Sequence, residues 1–435
     1  MNTATLTSEK ITADLLPQKF GKRGMIWTGV LIAICLVGAY GYYRQLTKGL
    51  VVTNMRDYVS WGIYISNFVF FVAISLVGSL ITAILRLANV RWSTPLTRIA
   101  EIIAVSAIVF ASIIIIVDMG RPERFVNLFV YGRLQSPIIW DVVVIGTYFF
   151  ISCFLLYFPL LPDLKILIAN KNKQPKWMSW MYRFMGSFWK GTVSQFKMSH
   201  KAITILCIMI IPVAFAIHTV TSWLFATTYR PGWDSTNFGA YFISGAFLVG
   251  AGGVVVAMYV FRKFYRLEKY ITEMHFEKMG RVVVLLALLY LYFNINEYLI
   301  PAFKMKKPEE AHLTNLFAGE FAPVFWFAIL VGMIFPIFIL LFKKGRKPLP
   351  MFIVGCMVVV GAWFKRYLIV TPTLLHPFLP MDNAPENFKH YFPSWEEWAI
   401  AMGSLAGALL VITFFARIFP IVPIHETIEE DETKS

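Results

Sequence analysis

Ten separated apolar runs constrain this chain more than any other feature of its sequence. Each run has roughly 20 residues, which is enough for a helix to cross the ~30 Å apolar core of a bilayer. Only helices and closed barrels satisfy the backbone in lipid, and these runs are continuous instead of alternating. The sequence therefore predicts an all-α integral membrane protein with about ten transmembrane helices, at 25–43, 61–85, 99–117, 139–161, 203–226, 238–261, 281–300, 323–342, 351–370 and 398–419.

The composition agrees with a membrane protein. Of the 435 residues, 58% are hydrophobic and only 15% are charged, a balance that soluble proteins do not have. A formal net charge of +15 could suggest nucleic acid binding, but no base-reading motif accompanies it. No cleavable signal peptide is evident, because a polar segment precedes the first run and no small-residue cleavage site follows it. We expect that run to be a retained helix.

The positive charges are distributed unevenly between the two sides of the membrane. Ten spans place both termini on one side, and most of the 40 lysines and arginines fall in the tails and loops of that side. By the positive-inside rule, both termini are cytoplasmic. We expect a polar cytoplasmic tail at 1–24, the membrane domain at 25–419 and an acidic cytoplasmic tail at 420–435, with disorder from His425 onward.

One histidine lies inside an apolar run. His218 is in the fifth run, with Ser222 one helical turn later on the same face, shortly before the polar loop TTYRPGWDSTN. An ionisable side chain at membrane depth is costly and indicates a functional site. The structural alternative is a histidine that a neighbouring helix satisfies.

Other polar residues in or near the runs lie toward the same outer side. They are Trp61, Tyr64, Asn67, Asp118, Arg121, Asp141, Asp234, Asn294, Asn296, Glu297, Lys365 and Arg366. The inner halves hold few comparable groups, of which Glu101 is the clearest. The asymmetry predicts a polar pocket reached from the outer leaflet. Each group also has a structural alternative. The aromatic residues could lie at the membrane interface, the charges at a helix end could pair with each other, and the lysine and arginine side chains could extend to the water.

The sequence argues against metal and haem centres. The four cysteines stand in four different runs without a CxxC pair. A b-type haem in a bundle needs two histidines at similar depth on facing helices, and His218 has no such counterpart. Nucleotide-binding and hydrolase motifs are also missing. We expect no haem and no iron–sulfur cluster in this chain, so any redox chemistry would need a diffusible carrier and a partner subunit.

Several segments resemble one known family, the NrfD/polysulfide reductase membrane subunits. The similar segments are, in chain order, WGIYISNFVFFVAISLVGSL, VDMGRPERF, SPIIWD and HTVTSWLFATTYRPGWDSTNFGAYFISGA. The resemblance runs from about Asn54 to about Ala302. It is to the ten-helix branch, which includes membrane subunits of alternative complex III, the Dsr complex and periplasmic uptake hydrogenases.

The resemblance implies a quinone-interacting anchor of a respiratory oxidoreductase complex in the cell membrane of a bacterium, or of an archaeon. Such an anchor carries no metal cofactor. It exchanges electrons between menaquinone or ubiquinone and a ferredoxin-like iron–sulfur subunit on the periplasmic face, which serves a further catalytic or cytochrome subunit. The resemblance leaves open whether the chain itself counts as an enzyme.

The resemblance also assigns residues to motifs. His218 matches the family's helix-5 histidine, Asp118 to Arg121 its GRP-type turn, Trp140 and Asp141 its SPxxWD element, and Trp233 to Thr236 its PGWxST loop. We expect His218 or Asp118 to accept protons from quinol, with Ser222 beside His218. The remaining expected roles are quinone contact by Trp61, Tyr64 and Asn67, proton relay by Asp141, Asp234 and Glu297, and charge balance by Arg121 or Arg366.

Two departures separate the chain from some branches of the family. Asp234 stands where many relatives have a histidine, and Leu76 and Asp118 stand where proton-coupled branches have histidines. The histidine pattern of those branches is therefore not reproduced. A structural anchor without quinone chemistry and a secondary transporter remain alternatives, although no inverted repeat with paired broken helices points to transport.

Overall fold

The computed structural model describes residues 3–17, 21–170, 175–378 and 385–432. The α-helices are, in chain order, α1 (Thr3–Leu15), α2 (Lys22–Lys48), α3 (Ile63–Leu87), α4 (Thr94–Asp118), α5 (Asn127–Val130), α6 (Pro137–Tyr157), α7 (Leu161–Ala169), α8 (Lys176–Met185), α9 (Val193–Ala226), α10 (Phe238–Phe264), α11 (Glu273–Lys304), α12 (Lys307–Phe317), α13 (Ala322–Ile329), α14 (Phe335–Leu341), α15 (Pro348–Leu375), α16 (Trp395–Ile418) and α17 (Ile424–Glu432).

Ten segments of the described chain are long and apolar enough to cross a membrane: α2, α3, α4, α6–α7, α9, α10, α11, α13–α14, α15 and α16. The all-α class and the ten spans are therefore confirmed. Several spans extend beyond the predicted runs, and α9 begins well before residue 203. Its start is fixed by a capping box, in which the Gln195 backbone N–H donates to Thr192 Oγ1 at 3.3 Å. Hydropathy detects only the apolar part of such a helix.

One span is locally widened where it meets another helix. A π-helical turn, Leu330–Ile334, joins α13 to α14. A Cβ added to Gly361 of α15 would lie 2.4 Å from the Cα of Gly332 in this turn. The two glycines therefore allow the backbones of the two spans to come into direct contact.

The central helix of the bundle is α3, which packs against α4, α9, α10, α15 and α16. Most of its described side chains are buried, which accounts for its continuous apolar sequence. By contrast, α2 packs mainly against α16 and exposes large apolar side chains such as Leu36 and Tyr43. Such an exposed apolar surface is what lipid contact requires.

The two ends of the bundle carry different structures. α1 and α17 pack against each other at one end, which we call the termini end. The opposite end, at which α2, α4, α9, α11 and α15 finish, is called the distal end. The predicted site residues belong to the distal end.

The carboxyl-terminal segment is a docked helix as far as it is described, so the prediction of disorder from His425 is wrong for residues 425–432. Asp163 accepts hydrogen bonds from the backbone N–H groups of Ile424 at 3.1 Å and His425 at 2.9 Å. Glu426 binds the Arg86 guanidinium at 3.0 Å. The acidic tail is ordered because Asp163 and Arg86, which belong to distant helices, bind its backbone and its side chains. Residues 433–435 lie outside the described residues.

The termini end also contains more buried charge than the sequence indicates. The guanidinium of Arg98 lies 2.6 Å from the carboxylate of Asp163, and both side chains are almost completely buried. Glu101 lies 3.8 Å from Arg86. Hydropathy alone places Arg86 and Arg98 in a loop between two spans, but both are helical residues. Arg86 pairs with Glu426 of α17, and Arg98 donates to the Pro420 carbonyl in the segment before α17.

Candidate functional site

The predicted site residues lie in the distal parts of α3, α4, α6, α9, α11 and α15 and in the adjoining connections. The structure divides them into several local groups instead of one contiguous cluster. His218 is the member with the least satisfied surroundings.

His218 is completely buried on α9. Neither of its ring nitrogens has a hydrogen-bond partner among the described residues. Its ring lies 6.1 Å from the ring of Phe242 on α10, and the Arg366 guanidinium of α15 covers that phenyl ring at 4.6 Å. Buried polar atoms are almost always hydrogen-bonded, so an unpaired imidazole indicates a place for a polar ligand or water.

Two more buried donors are unpaired on α3 and α15. Asn67 Oδ1 accepts a 2.6 Å hydrogen bond from Trp363 Nε1, but its Nδ2 has no partner in the described part of the chain. Arg366 Nη2 donates to the Phe242 carbonyl at 3.2 Å, whereas its Nη1 is likewise unpaired within the described ranges. Trp363 and Arg366 are three residues apart and therefore share one face of α15.

Three aromatic side chains pack together at the distal end of α9. The rings of Trp61 and Trp233 stack at 6.0 Å, and both contact Phe225, at 5.7 and 4.9 Å. Trp233 Nε1 donates to the Ile369 carbonyl at 2.8 Å, which ties the PGW turn to α15. Gly232 has φ of +85°, a left-handed conformation that favours glycine. The loop motif thus fixes Trp233 in place.

Asp141 joins α6 to α9. Its Oδ1 accepts a 2.7 Å hydrogen bond from Thr221 Oγ1, and the carboxylate is buried. Thr221 is three residues beyond His218, so it lies on a neighbouring part of the same helix face. Ser222 instead donates to the Thr219 carbonyl at 2.7 Å. The structure therefore adds Thr221, which the sequence does not single out, to the predicted residues.

Glu297 is held by the loop that precedes α10. Its carboxylate accepts hydrogen bonds from Ser235 Oγ at 2.8 Å and from Asn237 Nδ2 at 3.1 Å, and the side chain is buried. On the next residue, the Tyr298 hydroxyl accepts a 2.5 Å hydrogen bond from Lys365 Nζ. Asp234 itself is exposed. The PGWDSTN loop therefore contacts Glu297 through Ser235 and Asn237, and not through Asp234.

Asp118 ends α4 beside a second polar group. The Tyr64 hydroxyl donates to Gln45 Oε1 at 2.7 Å, and Gln45 Nε2 donates to the Val117 carbonyl at 2.8 Å. Asp118 Oδ1 is buried and has no hydrogen-bond partner among the described residues. Arg121 is exposed, and no ion pair within 4.0 Å joins it to Asp118 in the described chain.

A buried carboxylate on α16 is absent from the residues predicted from sequence. Glu397 is completely buried and accepts hydrogen bonds from the Asn54 backbone at 2.8 Å, the Ser394 backbone at 2.9 Å and the Tyr391 hydroxyl at 2.5 Å. Its sequence signal is the SWEE segment, a capping box at the start of α16. Its hydrogen bonds attach the loop before α3 to the start of α16.

Nothing in the described ranges resembles a metal site. No group of three or more histidine, cysteine, aspartate or glutamate side chains there is arranged to hold a metal ion. The distal groups instead present hydrogen-bond donors, acceptors and aromatic faces, which suit an organic ligand with polar ends.

Comparison with known proteins supplies a family context for this site. Residues 51–377 match the family model described as polysulphide reductase, NrfD. The chain is 24% identical to a selenate reductase subunit of Mesobacillus selenatarsenatis, over 92% of this chain and 95% of that protein. It is 25% identical to a putative dimethyl sulfoxide reductase membrane subunit of Halobacterium salinarum, over 81% and 78%. It is 22% identical to the integral membrane subunit of menaquinone reductase from Nitratidesulfovibrio vulgaris, over 95% and 96%.

Proposed function

The chain belongs to the polysulphide reductase NrfD family, and on this premise we propose that it is the quinone-interacting membrane subunit of a respiratory oxidoreductase complex. It exchanges electrons between the quinone pool and an iron–sulfur partner subunit on the distal face. The three relatives are all named as reductase subunits. The Halobacterium and Nitratidesulfovibrio proteins are named as membrane subunits, and the latter belongs to menaquinone reductase. Those names support a membrane subunit of a complex and a menaquinone-type ligand.

The single observation that carries the proposal is the completely buried imidazole of His218, whose two nitrogens have no hydrogen-bond partner in the described part of the chain. A quinone offers two oxygen atoms separated by an apolar ring, and the distal groups have matching features. His218, Asn67 and Arg366 each carry at least one buried nitrogen without a partner among the described residues. Phe242 supplies an aromatic face close to His218, and Phe225 packs against Phe242. These features support a quinone head group as the ligand.

A bound quinol supplies two electrons and two protons. A nitrogen of His218 accepts one hydroxyl proton, and Oδ1 of Asp118 is a second acceptor. Neither atom has a hydrogen-bond partner within the described ranges. Thr221 orients Asp141, and Ser235 orients Glu297, so both carboxylates are positioned to pass protons outward toward Asp234. Of the two candidate residues for charge balance, Arg366 is buried in this region and offsets negative charge there, whereas Arg121 is exposed.

We assign the distal end to the outside of the cell membrane and both termini to the cytoplasm. The excess of lysine and arginine at the termini end supports this orientation. The partner subunit then docks on the distal end, where the connection between α4 and α6 exposes Phe129, Tyr131 and Leu134. Large exposed apolar patches of this kind mark interaction surfaces. The electrons pass between the quinone and this partner, which carries the iron–sulfur cluster.

The test compares quinol-dependent turnover of the assembled complex with turnover driven by an artificial donor that reduces the iron–sulfur partner directly. We expect His218→Ala and Asp118→Ala to lower the quinol-dependent rate roughly 100-fold, the scale of lost proton acceptance. The artificial donor rate should not change.

His200→Ala is the matched control, because His200 is exposed near the other end of the same helix. It should retain both rates. Full quinol-dependent turnover in His218→Ala and Asp118→Ala would contradict the assignment of these residues. A wild-type complex that assembles but never oxidises or reduces quinone would instead be a structural anchor.

A further inference from the structure

A cavity at the distal end lies between α12 and the spanning helices α10, α11 and α15. Its polar lining includes Glu297, Tyr298, Tyr241, Glu309 and His312. Of these, only Glu297 belongs to the predicted site. The cavity therefore connects a predicted proton-relay residue with groups on α12 that have no assigned role.

The lining contains buried polar atoms that are unsatisfied within the described ranges. Glu309 Oε2, His312 Nδ1 and the Tyr241 hydroxyl are buried and have no hydrogen-bond partner among the described residues. Glu309 is 3% exposed, His312 5% and Tyr241 1%. Three such atoms around one cavity are best satisfied by water, which needs two to four polar partners in a confined space.

Two ionisable side chains of α12, Glu309 and His312, line the cavity, and a third, Glu310, lies outside it. Glu309 and His312 are three residues apart and share a helix face, and both line the cavity. Glu310, the next residue, is exposed. The other carboxylate oxygen of Glu309 lies 3.7 Å from Nζ of Lys306, whose side chain is half exposed. Glu309 therefore stands between the cavity and the distal surface.

The inner wall of the cavity adjoins the His218 region. Lys365 donates to the Tyr298 hydroxyl and lies 5.8 Å from the Tyr241 ring. The neighbouring residue Arg366 covers Phe242, which contacts His218. Phe238 lines the cavity and packs against Phe242 with the ring centroids 5.7 Å apart, so one aromatic side chain separates the cavity from the ring that contacts His218.

His312 is in a state that suits proton transfer through water. Burial, together with the His376 ring 5.8 Å away, lowers the pKa of His312 to about 3. The imidazole is therefore neutral at pH 7. A neutral imidazole can accept a proton at one nitrogen while it gives one up from the other.

We propose that this cavity is a hydrated proton-release route, in which protons pass from Glu297 through His312 and Glu309 to the distal surface. The inference rests on the proposed function. Oxidation of one quinol sends two electrons to the iron–sulfur partner and releases two protons, and the route carries those protons to the aqueous phase. Reduction of quinone would use the same route inward.

The experiment measures quinol oxidation by the assembled complex in H₂O and in D₂O, together with binding of a quinol-analogue inhibitor. Glu309→Gln and His312→Gln should each slow oxidation roughly tenfold and raise the solvent isotope effect. Inhibitor binding should stay at the wild-type level. Glu310→Gln is the control, because it makes the same change on the exposed side of α12, and it should match wild type in all three measurements.

Chemical rescue separates proton transfer from structural support. In Glu309→Ala, formate should restore a large part of the rate, because a small acid can occupy the opened space and carry the proton. Wild-type rates and isotope effects in both Gln variants would overturn the route, as would a slow Glu309→Ala variant that formate does not rescue. Absence of inhibitor binding to the wild-type complex would instead overturn the proposed function.

Discussion

Trp363 Nε1 donates a 2.6 Å hydrogen bond to Oδ1 of Asn67, and this bond joins α15 to the central helix α3. Trp363 binds only Oδ1, and Nδ2, which has no partner among the residues that the structure describes, is the end of the amide available to a ligand. The two ends of the Asn67 side chain therefore have separable roles, one structural and one in binding.

Substitutions at Asn67 and Trp363 should separate these roles. Trp363→Phe leaves a buried acceptor unpaired, which we expect to lower the free energy of unfolding by about 1–3 kcal/mol with little change in quinol-analogue affinity. Asn67→Leu should weaken that affinity about fivefold or more, the value of one lost hydrogen bond. Inhibitor titration and thermal unfolding of the purified complex measure the two effects. Equal affinity losses in both variants would contradict the separation.

The buried ion pair at the termini end should contribute more to stability than an exposed one. Asp163→Asn leaves the Arg98 guanidinium buried without its charge partner and weakens the cap of α17. We expect a loss of about 3–5 kcal/mol, observed as a lower thermal unfolding midpoint. Glu277→Gln breaks the exposed pair with Arg281 and should cost under ~1 kcal/mol. Similar midpoints for the two variants would contradict this account.

Two adjacent glycines on α10 should respond oppositely to alanine. A Cβ on Gly252 would lie 2.8 Å from Val358 Cγ1 of α15, whereas a Cβ on Gly253 would meet its nearest atom at 4.0 Å. Gly252→Ala should lower the free energy of unfolding by about 1–3 kcal/mol through overpacking. Gly253→Ala should be neutral or stabilising, because alanine favours helix. Thermal unfolding in detergent compares them, and equal destabilisation would be inconsistent with the packing described.

Acid should destabilise the distal end through His312. Its pKa is about 3 in the folded protein and ~6.5 when exposed, so only the unfolded state gains a proton between these values. The contribution of His312 to the free energy of unfolding therefore falls as the pH drops below ~6.5, by about 2 kcal/mol at pH 5. Thermal unfolding at pH 7 and pH 5 should show a smaller decrease in His312→Gln than in wild type. The exposed His200→Gln variant should behave as wild type, and an unchanged acid response in His312→Gln would contradict the assignment.

The fold class is accessible from sequence because lipid imposes a simple length and polarity rule on every span. Helix ends such as the start of α9 are not accessible from hydropathy. The Thr192 cap starts α9 in a polar segment that precedes its apolar run. The docking of α17 is also hidden. It depends on Asp163 and Arg86, which are far from the tail in the chain, and composition alone indicates disorder.

The candidate site is predictable only as a set of costly polar residues. His218 stands out because it interrupts an apolar run, and the turn around Trp233 because of its glycine and proline. The partners Thr221, Gln45 and Trp363 are not identifiable, because hydroxyl, amide and indole groups are common in membrane helices and acquire meaning only through their contacts. Glu309 and His312 lie in a connection that hydropathy treats as a loop.

The most direct test of the central claim is the quinone content and inhibitor binding of the purified, partner-bound complex. Extraction should recover quinone, or a quinol-analogue inhibitor should bind, in stoichiometric amount to the wild-type complex. His218→Ala should lose this binding while His200→Ala keeps it. An intact complex with neither bound quinone nor inhibitor binding would contradict the account and leave the chain as a structural anchor.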